Sequence, residues 1–417
     1  MKTGSTRGRI RVIGGSLGGL LTANLLLRDG WDVKVYERSE RPLAGRGAGI
    51  VTHPELFTAL KACGVSLDDR LGVRVHERVT LGSDGRVVGR LAMDQVLTAW
   101  GQLFDRLREV FPHERYCNGV AALAVRQQDQ GVVLKLSDGS DETVDLVIAA
   151  DGIRSSLRGQ LAPTTVPAYA GYVAWRGLID EASLSPETHA ALFNHFAFCL
   201  PPREQILGYP VAGADGDVSI GRRRFNFVWY RPADAEAELA DLLTDESGQR
   251  HDGGIAPNRI RPAVHTALRA DAKRLLAPQF AEIIERTEQP FFQPIVDLAS
   301  TQIVFGRTAL VGDAAFVARP HCGMGVTKAA GDALALVSQL AKHTRVDDAL
   351  NAYELERLSF GRAVVNHARH LGAYMQAQIH SEHERAMAER YRTPEAVMRE
   401  TAASRAFTVA DSAASPE

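Results

Sequence analysis

Residues 12–20 read VIGGSLGGL, and this glycine-rich stretch decides the fold. A short apolar strand, Ile10–Ile13, runs into its first glycines, and apolar residues then recur at helical spacing through Leu17–Arg28. The run WDVKVYE, residues 31–37, predicts a second strand that ends at Glu37. Strand, glycine turn, helix and strand in this order predict a βαβ unit with a parallel sheet.

The glycines of this turn have the spacing of a dinucleotide-binding fingerprint. Gly14 allows a tight turn and Gly19 allows close packing of the helix, while Ser16 stands where the fingerprint has its middle glycine. The helix N-terminus offers free N–H groups to a pyrophosphate, and Glu37 stands where an acid accepts hydrogen bonds from ribose. The turn predicts dinucleotide binding but does not separate FAD from NAD. The predicted contacts are Gly14, Gly15, Ser16, Leu17, Gly19, Glu37 and Arg38.

Composition argues against several other classes of protein. The 417 residues carry a net charge of -2, so no global basic field is available to hold nucleic acid or an anionic membrane. The four cysteines are scattered without a CxxC pair, which argues against a zinc site or a disulfide framework and favours a reducing cytoplasm. No apolar run approaches the length of a transmembrane helix. We therefore expect a cytoplasmic globular protein.

The hydrophobic pattern predicts two interleaved domains of an α/β protein. It predicts a β-hairpin over Val73–Leu91 and a helix over Asp94–Arg108. Aromatic-rich strands after Gly171 predict a second, α+β domain built on a sheet. The expected units are a Rossmann-like domain with C-terminal helices (1–72, 92–170 and 301–392), a β-sheet substrate domain (73–91 and 171–300) and a disordered tail (403–417).

Two later segments resemble motifs of one enzyme family. Residues 145–158 read DLVIAADGIRSSLR, and residues 307–336 read RTALVGDAAFVARPHCGMGVTKAAGDALAL. With the N-terminal turn they are similar, in order and spacing, to the motifs of class A flavoprotein monooxygenases, the para-hydroxybenzoate hydroxylase-like family. Within it the likeness is greatest to the dihydroxypyridine hydroxylases, through GGS in the turn, AGYVAWRG, and GDAA followed by RPH. The resemblance implies a Rossmann-like FAD-binding domain that holds FAD without a covalent bond.

The resemblance also implies roles for residues of the last motif. Asp313 would accept a hydrogen bond from the FAD ribityl chain, as a buried carboxylate at the end of a strand. The helix that opens after Gly323 would stabilise negative charge on the flavin, and Pro320 would lie beside its reactive face. Phe316, Met324 and Thr327 depart from the residues that the family often has at their positions. The other implied cofactor contacts are Gly49, Asp151, Arg154, Gly312, Met324 and Gly325.

The activity that the resemblance implies is aromatic hydroxylation. NADH or NADPH would reduce FAD, and oxygen would form a flavin hydroperoxide that hydroxylates an electron-rich aromatic or N-heteroaromatic ring. The protein would exclude water, orient the ring and help to deprotonate a ring hydroxyl. The candidate residues beside the reacting atoms are His321, His53 and Pro320, and a helix-capping or surface role fits His53 equally well.

Aromatic residues of the second domain are the candidate substrate contacts. Because side chains alternate along a strand, Phe227 and Trp229 share one face and Tyr230 takes the other. Filling of a hydrophobic core explains these side chains equally well. The predicted substrate contacts are His195, Tyr209, Phe227 and Trp229, with Tyr230 as a further candidate.

Other functions share part of this pattern. An FAD oxidoreductase or a natural-product tailoring epoxidase of the same fold would carry every motif. A NAD-dependent dehydrogenase would carry the N-terminal turn, but it gives no reason for VGDAAFVARP at residues 311–320. The expected partners are a small aromatic substrate and O2, with no metal, no nucleic acid and no membrane. The oligomeric state is left open, with a homodimer as one option.

Overall fold

A computed structural model of the chain describes residues 7–41, 43, 49–404 and 407. Within them the strands are β1 Arg9–Ile13, β2 Asp32–Glu37, β3 Gly49–Val51, β4 Val73–Leu81, β5 Val87–Ala99, β6 Tyr116–Asn118, β7 Ala122–Gln128, β8 Gly131–Leu136, β9 Asp141–Val144, β10 Leu146–Ala149, β11 Ala168–Asp180, β12 His195–Cys199, β13 Gln205–Val211, β14 Arg224–Pro232, β15 Phe291–Ala299, β16 Val304–Phe305, β17 Thr308–Leu310 and β18 Phe316–Val317. The helices of the same residues are α1 Leu17–Arg28, α2 Pro54–Cys63, α3 Trp100–Glu109, α4 Ser156–Leu161, α5 Pro186–Leu192, α6 Glu238–Leu242, α7 Pro262–Leu275, α8 Pro278–Arg286, α9 Gly325–Lys342, α10 Val346–Gly372, α11 Glu382–Tyr391 and α12 Pro394–Glu400.

The first sheet contains the predicted βαβ unit. Its strand order in the described chain is β16-β17-β10-β1-β2-β6, and β1 pairs in parallel with both β2 and β10. Strands of such a sheet are buried on both faces, which agrees with the complete burial of Ile10, Val12 and Val147. Helix α1 packs against α9, so the N-terminal motif and the late Gly-Asp motif meet at the carboxyl ends of the strands of this sheet.

The second sheet has nine strands among the described residues, in the order β18-β15-β11-β14-β13-β12-β4-β5-β3. Its two faces carry different residues, because side chains alternate along each strand. Phe227 and Trp229 lie in a core with residues of α7 and α8. Tyr172, Tyr209 and Tyr230 lie in the core of the opposite face, which we call the inner face. The third sheet, β7-β8-β9, is a small antiparallel sheet.

The helix predicted over Asp94–Arg108 is wrong in its first turn and a half. Residues up to Ala99 continue β5, which pairs with β4 in a register that joins Val73 to Leu97. Burial alternates along β5, as a strand that covers a core on one face requires, and the helix begins only at Trp100. Residues 92–99 are expected in the Rossmann-like domain, but they lie in the nine-stranded sheet.

Other predictions have mixed outcomes. The helix over Leu17–Arg28 and the hairpin over Val73–Leu91 are confirmed, although β5 extends beyond the hairpin. The tail predicted over 403–417 lies largely outside the described residues. No helix of the described chain is long and apolar enough to cross a membrane.

Candidate active site

Close backbone contacts shape the glycine turn after β1. A Cβ atom on Gly14 would lie 2.3 Å from the carbonyl oxygen of Ala150, and Gly14 has a φ of 103°. A Cβ atom on Gly19 would lie 1.8 Å from the Gly14 carbonyl oxygen, and one on Gly15 would lie 2.1 Å from the hydroxyl of Tyr116. Because side chains do not fit here, the turn presents backbone to the groove beside it.

A groove of about 370 Å³, which we call the dinucleotide groove, lies beside this turn. The carboxylate of Glu37 accepts hydrogen bonds from the N–H groups of Gly15, at 2.8 Å, and Ser39, at 2.9 Å. Each of its oxygens retains acceptor capacity for a ribose hydroxyl. Asp151 Oδ1 is buried without a hydrogen-bond partner in the described chain, and a buried acceptor of this kind is expected to meet a ligand donor. The glycine turn after β1, Glu37 and Asp151 therefore fit the adenosine and pyrophosphate part of FAD.

The structure places most predicted contacts of the first motifs around this groove. Gly14, Ser16, Glu37, Arg38 and Asp151 line it. Leu17 is buried at the start of α1 and does not line the groove. Arg154 is exposed and donates a hydrogen bond to the Gly253 carbonyl oxygen at 2.8 Å, so a contact between this side chain and the cofactor stays a prediction.

Asp313 lies in a short 3-10 turn, Gly312–Ala314, rather than at the end of a strand. Its side chain is 50% exposed, so the expectation of a buried carboxylate is wrong. The strand stops at Leu310, and the positive φ of Gly312, 61°, turns the carboxylate outward into a cavity. Lys328 Nζ approaches Asp313 Oδ1 at 3.8 Å from beneath. An accessible carboxylate suits a ligand hydroxyl better than a buried one.

A second cavity of about 240 Å³ separates this turn from the inner face of the nine-stranded sheet, and we call it the inner cavity. Pro320, His321, Gly323 and Gly325 line one side of it, and Gly49 lies at its edge opposite the Tyr209 ring. Met324 is buried and caps the N-terminus of α9. The residues that line the inner cavity are Gly49, Ile50, Val51, Arg176, Phe196, Leu207, Tyr209, Val228, Tyr230, Asp313, Ala318, Pro320, His321, Gly323, Gly325, Val326 and Ala402.

His321 is buried in the wall of the inner cavity. Its Nε2 lies 2.8 Å from the Ala368 carbonyl oxygen, so Nε2 carries the proton and donates it. Nδ1 then faces the hydroxyl of Tyr172 at 3.5 Å. Burial lowers the pKa of this imidazole to about 3, so it is neutral at neutral pH. A ring bound in this way is suited to shaping the cavity and is a weak base.

His53 precedes α2 and is buried outside the residues that line the inner cavity. Its Nδ1 lies 3.0 Å from the hydroxyl of Thr327 on α9, and its Nε2 has no hydrogen-bond partner in the described chain. Burial lowers the pKa of this imidazole below its ordinary value. Its ring approaches the close turn at Gly323, where a Cβ atom would lie 3.4 Å from His53 Cε1. A role for His53 in proton transfer stays a prediction.

Of the predicted substrate contacts, the structure brings Tyr209 to the inner cavity, together with Tyr230. Phe227 and Trp229 lie on the opposite face of the sheet, and the Trp229 indole donates a hydrogen bond to Glu204 at 2.8 Å. The alternation of side chains was correctly inferred, but the sequence did not show which face meets the cofactor. His195 lies 3.5 Å from Glu77 and does not line the cavity.

Arg176 and Ala402 are among the residues of the inner cavity that sequence reasoning missed. The quoted segment AGYVAWRG contains Arg176, and its alternation with Tyr172 and Ala174 places all three on one strand face. Ala402 comes from the far C-terminal region and reaches the cavity because Arg78 donates hydrogen bonds to the carbonyl oxygens of Thr401 and Ala402. Nothing local in the sequence links residues 78 and 402.

Comparisons with known proteins agree with this geometry. Residues 169–297 match a family described as FAD binding domain-like. The chain is 32% identical, over 89% of its length and 92% of the relative's, to 2,6-dihydroxypyridine 3-monooxygenase of Paenarthrobacter nicotinovorans. It is 30% identical, over 87% of its length and 86% of the relative's, to 3-amino-4-hydroxybenzoate 2-monooxygenase of Streptomyces cremeus.

A solved structure shows the same architecture. The 2,6-dihydroxypyridine-3-hydroxylase from Arthrobacter nicotinovorans superposes with a TM-score of 0.84 at 31% identity, covering 91% of this chain and 95% of that one. The resemblance inferred from the three motifs and the predicted α/β fold class are thereby confirmed.

Proposed function

Because the chain belongs to the family of FAD-dependent aromatic monooxygenases, we propose that its substrate is a small hydroxylated aromatic or N-heteroaromatic ring, and a hydroxylated pyridine above all. The observation that carries this proposal is the inner cavity. Phe196, Tyr209 and Tyr230 line it, Asp313 and Pro320 lie on its other side, and its volume of about 240 Å³ suits a single ring. The likeness to enzymes named for dihydroxypyridine supports the choice of ring.

FAD supplies the redox and oxygen chemistry when it is bound, with electrons from NADH or NADPH. The chain would hold it through Glu37 and Asp151 in the dinucleotide groove and through Asp313 at the mouth of the inner cavity. Backbone N–H groups at the start of α9 would face the flavin and favour negative charge there. These assignments follow from the position of each residue around the two cavities.

The inner cavity would bind and orient the ring. Pro320 and Val326 provide apolar contacts on the side of α9, and Phe196 and Leu207 provide them on the side of the sheet. His321 holds the wall in place through its hydrogen bond to Ala368. Exclusion of water from this cavity when the ring is bound would keep oxygen transfer ahead of peroxide release.

Membership of the monooxygenase family leaves no support for a NAD-dependent dehydrogenase, whereas an epoxidase or another tailoring enzyme of the same fold remains an outcome of the substrate test. The four cysteines are free, which supports a reducing compartment such as the cytoplasm. We propose a homodimer as one option for the oligomeric state, which light scattering would measure.

The proposal is tested with a panel of hydroxylated pyridines, hydroxybenzoates and aminohydroxybenzoates. Each compound is added to the FAD-loaded protein with NADH or NADPH, and substrate-stimulated oxidation is recorded together with the products. We expect stimulation and a hydroxylated product with at least one hydroxypyridine. Stimulation by alkenes alone, or by no ring in the panel, would contradict the proposed substrate class.

A further inference from the structure

Arg176 is a charged residue of the inner cavity without a charged partner. Its side chain projects from the inner face of β11, and its Nε is buried with no hydrogen-bond partner in the described chain. Buried arginines elsewhere in the described chain have partners for the guanidinium, because an unpaired buried charge is costly, and Arg78 and Arg158 find them in backbone carbonyl oxygens. Arg223 lies 2.6 Å from Glu181, Arg319 lies 2.8 Å from Asp297, and Arg357 lies 2.8 Å from Asp332. Arg176 differs from these arginines, because its buried Nε has no partner in the described chain.

The residues around Arg176 add hydrogen-bond donors rather than acceptors. Tyr209 and Tyr230 line the same cavity, and burial raises the pKa of both phenols, so both remain protonated donors. Asn226 lies on the inner face of β14, two residues before Val228. Its Oδ1 accepts a hydrogen bond from the N–H of Gly49 at 2.9 Å. Its Nδ2 is buried without a partner in the described chain. Donors are thus in excess.

The one carboxylate among the lining residues is already balanced. Lys328 Nζ lies 3.8 Å from Asp313 Oδ1. The positive charges of Lys328 and of Arg158, on α4, both favour the ionised form of Asp313. His321 is neutral and commits its Nε2 proton to Ala368. The cavity therefore carries one uncompensated positive charge, at Arg176, and an uncharged ring would leave that charge unpaired.

We propose that Arg176 binds an anionic oxygen of the ring substrate, a phenolate or the oxyanion of a hydroxypyridine. The inference rests on the proposed function and specifies the ionisation state in which the ring is bound. A phenol that binds as its phenolate releases one proton to solvent, so no base of the protein is consumed. An ionised ring oxygen pushes electron density into the ring, which favours attack on an electrophilic oxygen atom.

The charged groups around the cavity imply that the ligand itself sets the pH dependence of binding. Tyr209 and Tyr230 have pKa values raised by burial, and the pKa of His321 lies at about 3. Desolvation raises the pKa of the Asp313 carboxyl, and the positive charge of Lys328 opposes that shift. The two phenols and the imidazole are therefore uncharged at neutral pH and slightly above it, where the ring hydroxyl ionises.

The test measures binding to oxidised, FAD-loaded protein without NAD(P)H, so no turnover occurs. The probe is 4-nitrophenol, which ionises near neutral pH, and its neutral counterpart is 4-nitroanisole. Dissociation constants are read from perturbation of the flavin spectrum between pH 6 and 9, and the bound phenolate is identified by its own absorption. The proteins are wild type, Arg176→Met, Arg176→Lys and Arg222→Met, the last altering an exposed arginine that is paired with Asp217.

We expect wild type and Arg222→Met to bind the phenolate more tightly as pH rises through the ionisation of the probe. Arg176→Met should weaken phenolate binding by about tenfold or more, with FAD retained, because a hydrogen bond to a charged group is lost. Arg176→Lys should recover part of that loss, and 4-nitroanisole should not distinguish the four proteins.

Two results would overturn the inference. One is equal phenolate affinity for wild type and Arg176→Met, and the other is that 4-nitrophenol fails to bind wild type or binds no better than 4-nitroanisole. Failure of the proposed function is seen separately, in the substrate panel. Hydroxylation with no role for Arg176 defeats only this inference, whereas phenolate binding through Arg176 without oxygen transfer to any ring defeats the proposed function.

Discussion

Asp313 shows how a single turn sets the chemistry of a residue. The positive φ of Gly312 directs the carboxylate into the inner cavity, where half of the side chain is accessible. We predict that Asp313→Ala weakens FAD binding by about tenfold or more, because a charge-assisted hydrogen bond to a ligand hydroxyl is lost. Titration of FAD into the apoprotein, followed by fluorescence quenching, measures the effect.

The matched control for Asp313 is Asp347→Ala. Asp347 is similarly accessible, at 45%, and lies 3.5 Å from Arg307 at the start of α10. The control should bind FAD like wild type, and both variants should keep the secondary structure of the parent. Equal FAD affinity in all three proteins would show that Asp313 does not contact the cofactor.

His321 should reveal itself through the pH dependence of stability. Its pKa is about 3 in the folded protein and has an ordinary value of 6.5, so the unfolded state binds a proton that the folded state does not. Stability from this residue is therefore complete above pH 6.5 and is lost as pH falls towards 3. As pH decreases through that window, the free energy of unfolding should fall more steeply in wild type than in His321→Gln. The difference between the two slopes should reach up to about 1.4 kcal/mol per pH unit.

Denaturant unfolding of both proteins at pH 5, 5.5, 6, 6.5 and 7.5 supplies the comparison for His321. The remaining titrating groups, His53 included, are common to both proteins and cancel in the difference. Parallel curves for wild type and His321→Gln would mean that the imidazole is not held neutral in the fold.

At the scale of elements, substitutions on the two faces of β14 should have different effects. Those on one face should change the stability of the fold, and those on the other should change the kinetics of the reaction. Trp229 lies in the core beneath α7 and α8 and donates to Glu204, whereas Tyr230 faces the inner cavity. Trp229→Phe should lower the free energy of unfolding by about 1–3 kcal/mol and leave the Michaelis constant for the ring substrate unchanged. Tyr230→Phe should raise that constant or release more peroxide, with stability nearly unchanged. The reverse assignment of the two effects would contradict the placement of the faces.

A second prediction at this scale concerns the C-terminal helix. Arg78 is fully buried on β4 and donates to the carbonyl oxygens of Met398, Thr401 and Ala402. Arg78→Met leaves these acceptors unpaired, so unfolding should become easier by about 3 kcal/mol. Hydrogen exchange should accelerate selectively in α12, and more peroxide should form per NAD(P)H because Ala402 lines the inner cavity.

The control for that prediction is Arg86→Met, at a side chain that is 87% exposed on the hairpin turn. It should change neither hydrogen exchange nor peroxide release. Uniform acceleration of exchange across the whole chain in Arg78→Met would indicate general destabilisation rather than a local attachment of α12.

At the scale of the whole molecule, local patterns predicted more than long-range contacts. The βαβ unit around Gly14 could be inferred because each of its signals lies within thirty residues of the next. The end of β5 was misplaced because helical and strand periods are hard to separate over the few residues before Trp100. The inner cavity was only half foreseen, since its walls come from β11, β13, β14 and Ala402, and their meeting depends on packing between distant segments.

As a member of the FAD-dependent aromatic monooxygenases, this chain inserts one atom of molecular oxygen into an aromatic ring. The most direct measurement is turnover of the stimulating hydroxypyridine with NAD(P)H under 18O2, followed by mass spectrometry of the product. We expect one heavy oxygen atom per product molecule, and none when only the water carries the label. Label taken from water, or NAD(P)H oxidation that yields only peroxide with every stimulating ring, would contradict it.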